Sequence, residues 1–581
     1  MVNLTINGKA IQAKEGSTIL EAARLANIDI PTLCFLKDVN EVGDCRMCVV
    51  EVEGARGFAT ACIQKVSEGM VVRTNTPKVV EARRVVLDLI LSNHERECLT
   101  CTRNGTCELQ KLAQEFYVDD IRYQGSRNKH ELDTLSPSIV RDFNKCILCR
   151  RCISTCKKVQ GIGAIDCINR GFDSCISTVE NKSLNDVNCT FCGQCIEACP
   201  TGALKEKDST HDVWQKLRDP ETYVVVQTAP AVRAALGEEF GMEIGTNVTG
   251  KMVAALKELG FDKVFDTNTG ADVTILEEGN EFLDRFSNNG VLQMITSCSP
   301  GWVKYIEMNY PELLPHVSTC KSPHQMFGAL IKSYYAQKLE VDPAKMYVVS
   351  VMPCIAKKFE SSRDEMKVND LKDVDAVITT RELARMIKQA HIDFVNLEDA
   401  TFDDPMGEAT GAAAIFGVTG GVMEAALRTV HEKVTGNVFE KLEYEPVRGM
   451  DGIKRAEVDM NGTKVKVVVA SGLKNAQTIM EEIKSGKADY QFVEIMACPS
   501  GCIMGGGQPI RTSKERATID IRGKRAAALY SIDEKSTIRK SHENPVVKKM
   551  YEEFLGEPGS HKSHELLHTH YTARPKYKYD E

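Results

Sequence analysis

The chain opens with apolar and polar residues in alternation. Val2, Leu4 and Ile6 point one way, and Asn7-Gly8 is a hairpin signal. Thr18, three residues before Glu21, predicts a capping box that opens a helix running to Ala26. From Tyr223 onward the pattern changes. Strand-like apolar runs at Tyr223–Thr228, Val291–Ile295, Tyr347–Met352, Val465–Ala470 and Gln491–Met496 alternate with helical stretches such as Gly250–Leu259 and Arg381–Ala390. That alternation predicts α/β organisation. The polar segment Glu206–Pro220 reads as the linker before it. Three of the runs end at unusual loops: Thr296-Ser297-Cys298-Ser299-Pro300-Gly301-Trp302, Met352-Pro353-Cys354-Ile355-Ala356-Lys357, and Cys498-Pro499-Ser500-Gly501-Cys502. Ligands of open α/β sheets gather beyond the carboxyl ends of the strands, so these loops are expected to bring cysteines to one crevice.

A chain of 581 residues exceeds what one core supports, so several domains are expected. No apolar run is long enough for a bilayer span, and a net charge of −8 gives no footprint for nucleic acid. Twenty-two cysteines change the picture. Many fall in tight C-x2-C groups in a large chain whose start carries no basic and apolar leader, which favours metal ligation over disulfides and a reducing cytoplasmic setting.

Cys34, Cys45, Cys48 and Cys62 suit a 2Fe–2S cluster, with structural zinc as the alternative. His94, Cys98, Cys101 and Cys107 can hold either zinc or a 4Fe–4S cluster, and spacing alone does not choose. Cys146-x2-Cys149-x2-Cys152-x3-Cys156 and Cys189-x2-Cys192-x2-Cys195-x3-Cys199-Pro200 repeat the bacterial two-cluster ferredoxin motif. In that motif the fourth cysteine serves the other cluster. Cys146, Cys149, Cys152 and Cys199 therefore form one set, and Cys189, Cys192, Cys195 and Cys156 the second. Cys167 and Cys175 are left over as spare thiols.

The three C-terminal loops, behind this order of cluster motifs, closely resemble those of FeFe-hydrogenases of the multi-cluster type. The resemblance implies a multidomain α+β and α/β chain. A β-grasp 2Fe–2S ferredoxin-like domain would span 1–78, a His/Cys3 4Fe–4S domain 79–125, and a two-cluster ferredoxin domain 126–208. A two-lobed catalytic domain with a small-subunit-like tail would span 209–581. It also implies reversible reduction of protons to H2, with electrons relayed to a catalytic 4Fe–4S joined to a two-iron unit carrying CO, cyanide and a dithiolate. Cys354, Cys498 and Cys502 match the cluster ligands, and Lys357 a cyanide donor. Ala229, Pro230 and Ala231 match a backbone donor loop, while Ser322, Pro323, His324, Met352 and Phe416 fit packing around the cofactor. Cys298, Glu278, Ser318, Glu281 and Arg285 match a proton relay. Independently, the spacing of Glu278, Glu281 and Arg285 puts them on one face of a predicted helix.

One position departs from the family, which has a second cysteine where this chain has Ser299. Ser299, Cys298 or Cys320 is then the fourth ligand; one thiol lost and one gained nearby favours Cys320, whose plain alternative is a buried free thiol. The implied partners are ferredoxin or flavoprotein/iron–sulfur subunits. Two other readings are an electron-transfer subunit of a complex-I-like assembly and a sensory hydrogenase-like protein. The first leaves the C-terminal loops unexplained.

Overall fold

A computed structural model describes residues 1–438 and 442–578. At the N-terminus, Val2–Ile6 and Lys9–Ala13 form the hairpin at the edge of a five-stranded sheet, with Asn7 and Gly8 at φ 53° and 81° in its turn. The capping box at Thr18 forms, and the helix Ile19–Leu25 buries Ile19, Leu20, Ala22 and Ala23 against that sheet. The helix Pro77–Ser92 leads out of this unit. Two small two-stranded sheets follow, pairing Ile139–Arg141 with Leu204–Glu206 and Asp166–Ile168 with Cys175–Ser177.

The C-terminal region has two four-stranded sheets. The first is parallel throughout, in the order Lys263–Asp266, Tyr223–Thr228, Met346–Met352, Ala376–Thr379. The second runs Met294–Ile295, Phe492–Met496, Thr463–Ser471, Ile453–Met460, with one antiparallel hairpin at its edge. The helix Thr267–Ser287 lies between them. Val273 and Leu276 join the core of the first lobe, while Ala271, Ile275 and Phe282 join that of the second.

Two expectations about elements change. The strand expected over Val291–Ile295 begins only at Met294, because Gln293 takes the left-handed conformation at φ 56° and the Arg285 guanidinium binds the Val291 carbonyl. The expected linker Glu206–Pro220 contains the helix Thr210–Leu217, whose Val213 is buried in the first lobe. Its first residue is fixed too, with Glu206 held by Arg381 and Arg385.

Arg428 ties two helices, Gly421–Thr435 and Ile521–Lys535, together inside the protein. Its guanidinium donates to both oxygens of Asp533 at 2.8 Å, to Glu424 at 2.6 Å and to the Leu442 and Arg539 carbonyls. Replacing it removes one cation from two buried carboxylates, of which Glu424 keeps Arg448 and Asp533 keeps Arg539. Arg428→Ala is therefore expected to lower stability by about 2–3 kcal/mol, read from the chemical-denaturation midpoint of the catalytic region. A loss near the ~0–1 kcal/mol of a surface pair would refute this account.

Candidate active site

A cavity opens where the strands of both lobes end. Ala229 and Pro230 follow Tyr223–Thr228, and Pro353 and Cys354 follow Met346–Met352. Ala497 and Cys498 follow Phe492–Met496, and Cys298 and Ser299 lie just past Met294–Ile295. Cys502, Lys357, Pro323, His324, Met352 and Phe416 complete much of the wall. Ala231 and Ser322 are fully buried behind it. The Cys502 loop approaches so closely that only glycine fits: a Cβ on Gly505 would sit 2.2 Å from the Pro353 carbonyl oxygen, and one on Gly506 2.6 Å from that of Cys192.

Sulfur donors dominate the polar groups of this wall, and among its lining residues Lys357 is the only lysine or arginine. Burial raises the thiols of Cys354, Cys498 and Cys298, and pushes Cys502 up to about 12. Buried thiols gathered at one point suit a soft metal centre, which ligates them as thiolates. Lys357 Nζ lies 2.8 Å from Glu360 Oε2 and donates to the Cys298 carbonyl at 3.1 Å. Burial alone would raise the Glu360 carboxyl, but Lys357 and His324 outweigh it and hold it down at about 2. Burial, with Lys357 nearby, lowers His324 to about 4 and keeps the imidazole neutral. The sequence reading gave Glu360 no role; its signal was the Lys357-x2-Glu360 spacing.

Glu278, Glu281 and Arg285 share the helix Thr267–Ser287 as expected. Glu281 accepts from Arg285 at 2.6 Å, the Ser318 hydroxyl at 2.7 Å and the Thr319 amide. Glu278 is buried with neither carboxylate oxygen hydrogen-bonded. Burial first, then the Glu281 charge, raises it to about 8, against partial opposition from Ser318 and the Ser297 amide. Glu278 is also the leading charge acting on the Cys298 thiol. Its neighbour Glu277 is fully partnered, by Tyr551, Ser563, the Gly559 amide and His568 of the C-terminal segment.

Cys320 is elsewhere. It does not line the cavity; its sulfur lies 3.8 Å from Glu281 Oε2, and the Tyr551–Leu567 side of the fold covers it. The expectation that it supplies the missing ligand is corrected, because the loop Ser318–Lys321 is pinned to the C-terminal segment by Lys321 N to Leu567 O and Thr569 N to Thr319 O. Ser299 stands at the wall instead. It starts the helix Pro300–Asn309 without capping it, and its hydroxyl accepts from the Ala497 amide at 3.1 Å, next to Cys498.

Further cavities collect ten other cysteines. One is lined by Cys146, Cys149, Cys152 and Cys199, and another by Cys156, Cys189, Cys192 and Cys195. Cys192 lines both the second of these and the large cavity. His94, Cys98 and Cys107 share a third, while a Cβ on Gly202 would meet the Cys101 sulfur at 2.6 Å. His94 Nδ1 is buried without a partner, and burial lowers the imidazole to about 4, the neutral form a metal requires. In the N-terminal unit the Cys34 amide donates to Cys45 Sγ at 3.3 Å, and Cys48 and Cys62 are mutual neighbours. Asn40 donates to the carbonyls of Cys34 and Cys149, joining this unit to the ferredoxin-like one.

The fold and this array of cysteine-lined cavities define an iron–sulfur oxidoreductase. Residues 222–506 match the model for the iron only hydrogenase large subunit, C-terminal domain, and 519–574 that for the iron hydrogenase small subunit. Residues 1–77 match a 2Fe-2S iron-sulfur cluster binding domain. Residues 83–122 match the NADH-ubiquinone oxidoreductase-G iron-sulfur binding region, and 136–205 the ferredoxin-like domain of NADH-quinone oxidoreductase subunit 3. The chain is 50% identical to the NADP-reducing hydrogenase subunit HndD of Solidesulfovibrio fructosivorans, over 99% of this chain and all of that one. It is 45% identical to iron hydrogenase 1 of Clostridium pasteurianum, over 98% and 100%. A solved apo FeFe-hydrogenase HydA1 from Chlamydomonas reinhardtii is 44% identical, with a TM-score of 0.57, over 63% of this chain and 99% of that one. The chain belongs to the FeFe-hydrogenase family, and it is an oxidoreductase acting on H2. No helix among the described residues is long and apolar enough to cross a membrane.

Glu278 is expected to be protonated at neutral pH. A carboxyl raised on folding contributes stability fully below its ordinary 4.5 and loses that contribution as pH rises through about 8. Difference infrared spectra should show a buried protonated carboxyl that disappears across that upper range and is missing in Glu278→Gln. A carboxylate signal already present at pH 6 would overturn the assignment.

Proposed function

We propose that the chain carries one 2Fe–2S cluster, three accessory 4Fe–4S clusters and a catalytic 4Fe–4S linked to a two-iron unit with CO, cyanide and dithiolate ligands. Together these would catalyse 2H⁺ + 2e⁻ ⇌ H2. The observation that carries this reading is the cavity itself: thiols from three separate strand ends meet there, and Cys192 of the adjoining cysteine set forms part of the same wall. The accessory ligands are the four sets Cys34/Cys45/Cys48/Cys62, His94/Cys98/Cys101/Cys107, Cys146/Cys149/Cys152/Cys199 and Cys156/Cys189/Cys192/Cys195. The domains divide at 1–78, 79–125, 126–208 and 209–581.

In the cavity, Cys354, Cys498 and Cys502 hold the catalytic cluster, and the bound two-iron unit supplies the redox chemistry at hydrogen. The chain's own groups bind, orient and move protons. Lys357, oriented by Glu360, offers a hydrogen bond to a buried anion; Pro230 has no N–H, so the donor of its loop is the Ala231 amide. Pro323, Met352 and Phe416 keep the wall apolar. The Cys298 thiol gives or takes a proton at Sγ. Glu278 exchanges it, and Ser318, Glu281 and Arg285 carry it outward.

Ser299 is proposed as the fourth ligand of the catalytic cluster, through oxygen. Its hydroxyl stands at the cavity wall, accepting from the amide of Ala497, the residue before Cys498, whereas Cys320 does not line the cavity and Cys298 is taken as the relay thiol in this reading. Electrons are proposed to come from ferredoxin or from flavoprotein/iron–sulfur partner subunits, in the cytoplasm. The HndD relative is named as a subunit of an NADP-reducing enzyme, which supports a multi-subunit setting.

Glu278→Gln removes a titrating group and no ligand. Turnover should fall by about 10²-fold or more while the CO and cyanide infrared bands persist. Near-normal turnover would reject the relay. Ser299→Cys exchanges a hard oxygen for a soft thiolate, so the midpoint potential and EPR spectrum of the catalytic 4Fe–4S should both change. Identical spectra and potential in the two proteins would remove Ser299 from the ligand set.

A further inference from the structure

Cys320 is a fully buried thiol that lines none of the cysteine cavities described above, and the reaction outlined for the active site makes no use of it. Its surroundings have a chemistry of their own. One ligand atom each from Glu281, Cys320 and His568 lies within 4.8 Å of the others. These residues come from the long buried helix, the loop Ser318–Lys321 and the C-terminal segment. An antiparallel bridge between Cys320 and His568 fixes the last two against each other, with Lys321 N donating to Leu567 O at 2.8 Å and Thr569 N to Thr319 O at 2.7 Å.

We propose that Glu281, Cys320 and His568 form a binding site for a single zinc ion at the outer arm of the proton relay. Thiolate, imidazole and carboxylate are the donors zinc takes in tetrahedral sites. Bonds of about 2.0–2.3 Å put such donors roughly 3.3–3.8 Å apart. The Cys320 Sγ to Glu281 Oε2 distance is already 3.8 Å, and the rest of the set needs to contract by at most about 1–1.5 Å from its 4.8 Å outer limit. A set mixing sulfur, nitrogen and oxygen selects zinc over magnesium or calcium, which want oxygen alone.

The neighbours fit as well. His568 Nδ1 lies 2.8 Å from the Thr319 hydroxyl and Nε2 3.1 Å from Glu277 Oε2. One of these contacts yields to the ion, and the other holds the ring in place, as outer partners of metal-bound histidines do. A Cys320 thiolate and the Glu281 carboxylate balance the two positive charges, and the nearby charges of Glu277 and Arg285 offset one another. Glu281 and Arg285 keep 13% of their side-chain surface exposed, which leaves the ion a way in from solvent.

Resting on the relay reading, the site has a consequence. Glu281 accepts from Ser318, Thr319 and Arg285, and an ion on its carboxylate removes the proton carrier at that point. Zinc would shut the route without touching the catalytic cavity.

Fully iron-loaded enzyme, its parent and Cys320→Ala forms side by side, is titrated with zinc chloride and desalted, then assayed for zinc content, zinc K-edge X-ray absorption and H2 turnover. The parent should retain one zinc that Cys320→Ala lacks, with one sulfur scatterer near ~2.3 Å. Its turnover should fall at least tenfold and recover with a chelator, with infrared CO and cyanide bands unchanged, while Cys320→Ala keeps its turnover. His568→Gln, a second variant, should lose the same zinc. Equal zinc retention in parent and variants, no retention at all, or absorption without sulfur would each overturn the site. Zinc held as described but without effect on turnover would uphold the site and refute the relay through Glu281.

Discussion

The active region depends on one helix that is apolar on two sides. Thr267–Ser287 gives Val273 and Leu276 to one lobe and Ala271, Ile275 and Phe282 to the other, so neither lobe's core is complete without it. Burying that much apolar surface is the main force drawing the sheets together, at roughly 25 cal/mol per Å². The strand ends then meet at one place. The helix also buries Asp272, Glu277 and Glu278, and two of these carboxylates are adjacent.

Those glutamates show how partners decide the behaviour of a side chain. Glu277 accepts hydrogen bonds from Tyr551, Ser563, the Gly559 amide and His568, and despite its burial lies below the ordinary carboxylate range. Glu278, one residue on and equally buried, has unpartnered oxygens and is raised to about 8. A carboxylate satisfied by donors stays ionised, whereas one left short of them holds its proton to higher pH. The C-terminal segment, by binding Glu277 alone, creates the difference.

Much of this was legible in sequence. Periodicity located the strands Tyr223–Thr228 and Phe492–Met496, whose burial is nearly continuous, and the helix around Gly250–Leu259, whose Met252, Val253, Ala255 and Leu256 share a buried face, to within a residue or so. Cysteine spacing anticipated which thiols share a cavity in the ferredoxin-like unit. Less was legible where long-range contacts decide. The polar stretch after Glu206 conceals a helix whose Val213 finds its place only against the folded lobe. The location of Cys320 was misjudged for the same reason: nearness in sequence to Ser322 and Pro323 says nothing of a C-terminal segment, some 250 residues later, that fastens its loop away from the cavity. Glu360 could have been found from its spacing to Lys357 on a short helix, but its pairing with His324 could not.

Cys192 borders two cavities at once, and Gly506 is pressed against it so closely that no side chain could separate them. Charge placed in one chamber is therefore felt in the other through a wall one residue thick and poorly screened by solvent. With the proposed clusters in both chambers, reduction would be anticooperative: the first electron would lower the potential for the second, and the apparent midpoints would describe the pair and neither centre alone. The pair would then work as a small capacitor, releasing one electron whenever a second arrives.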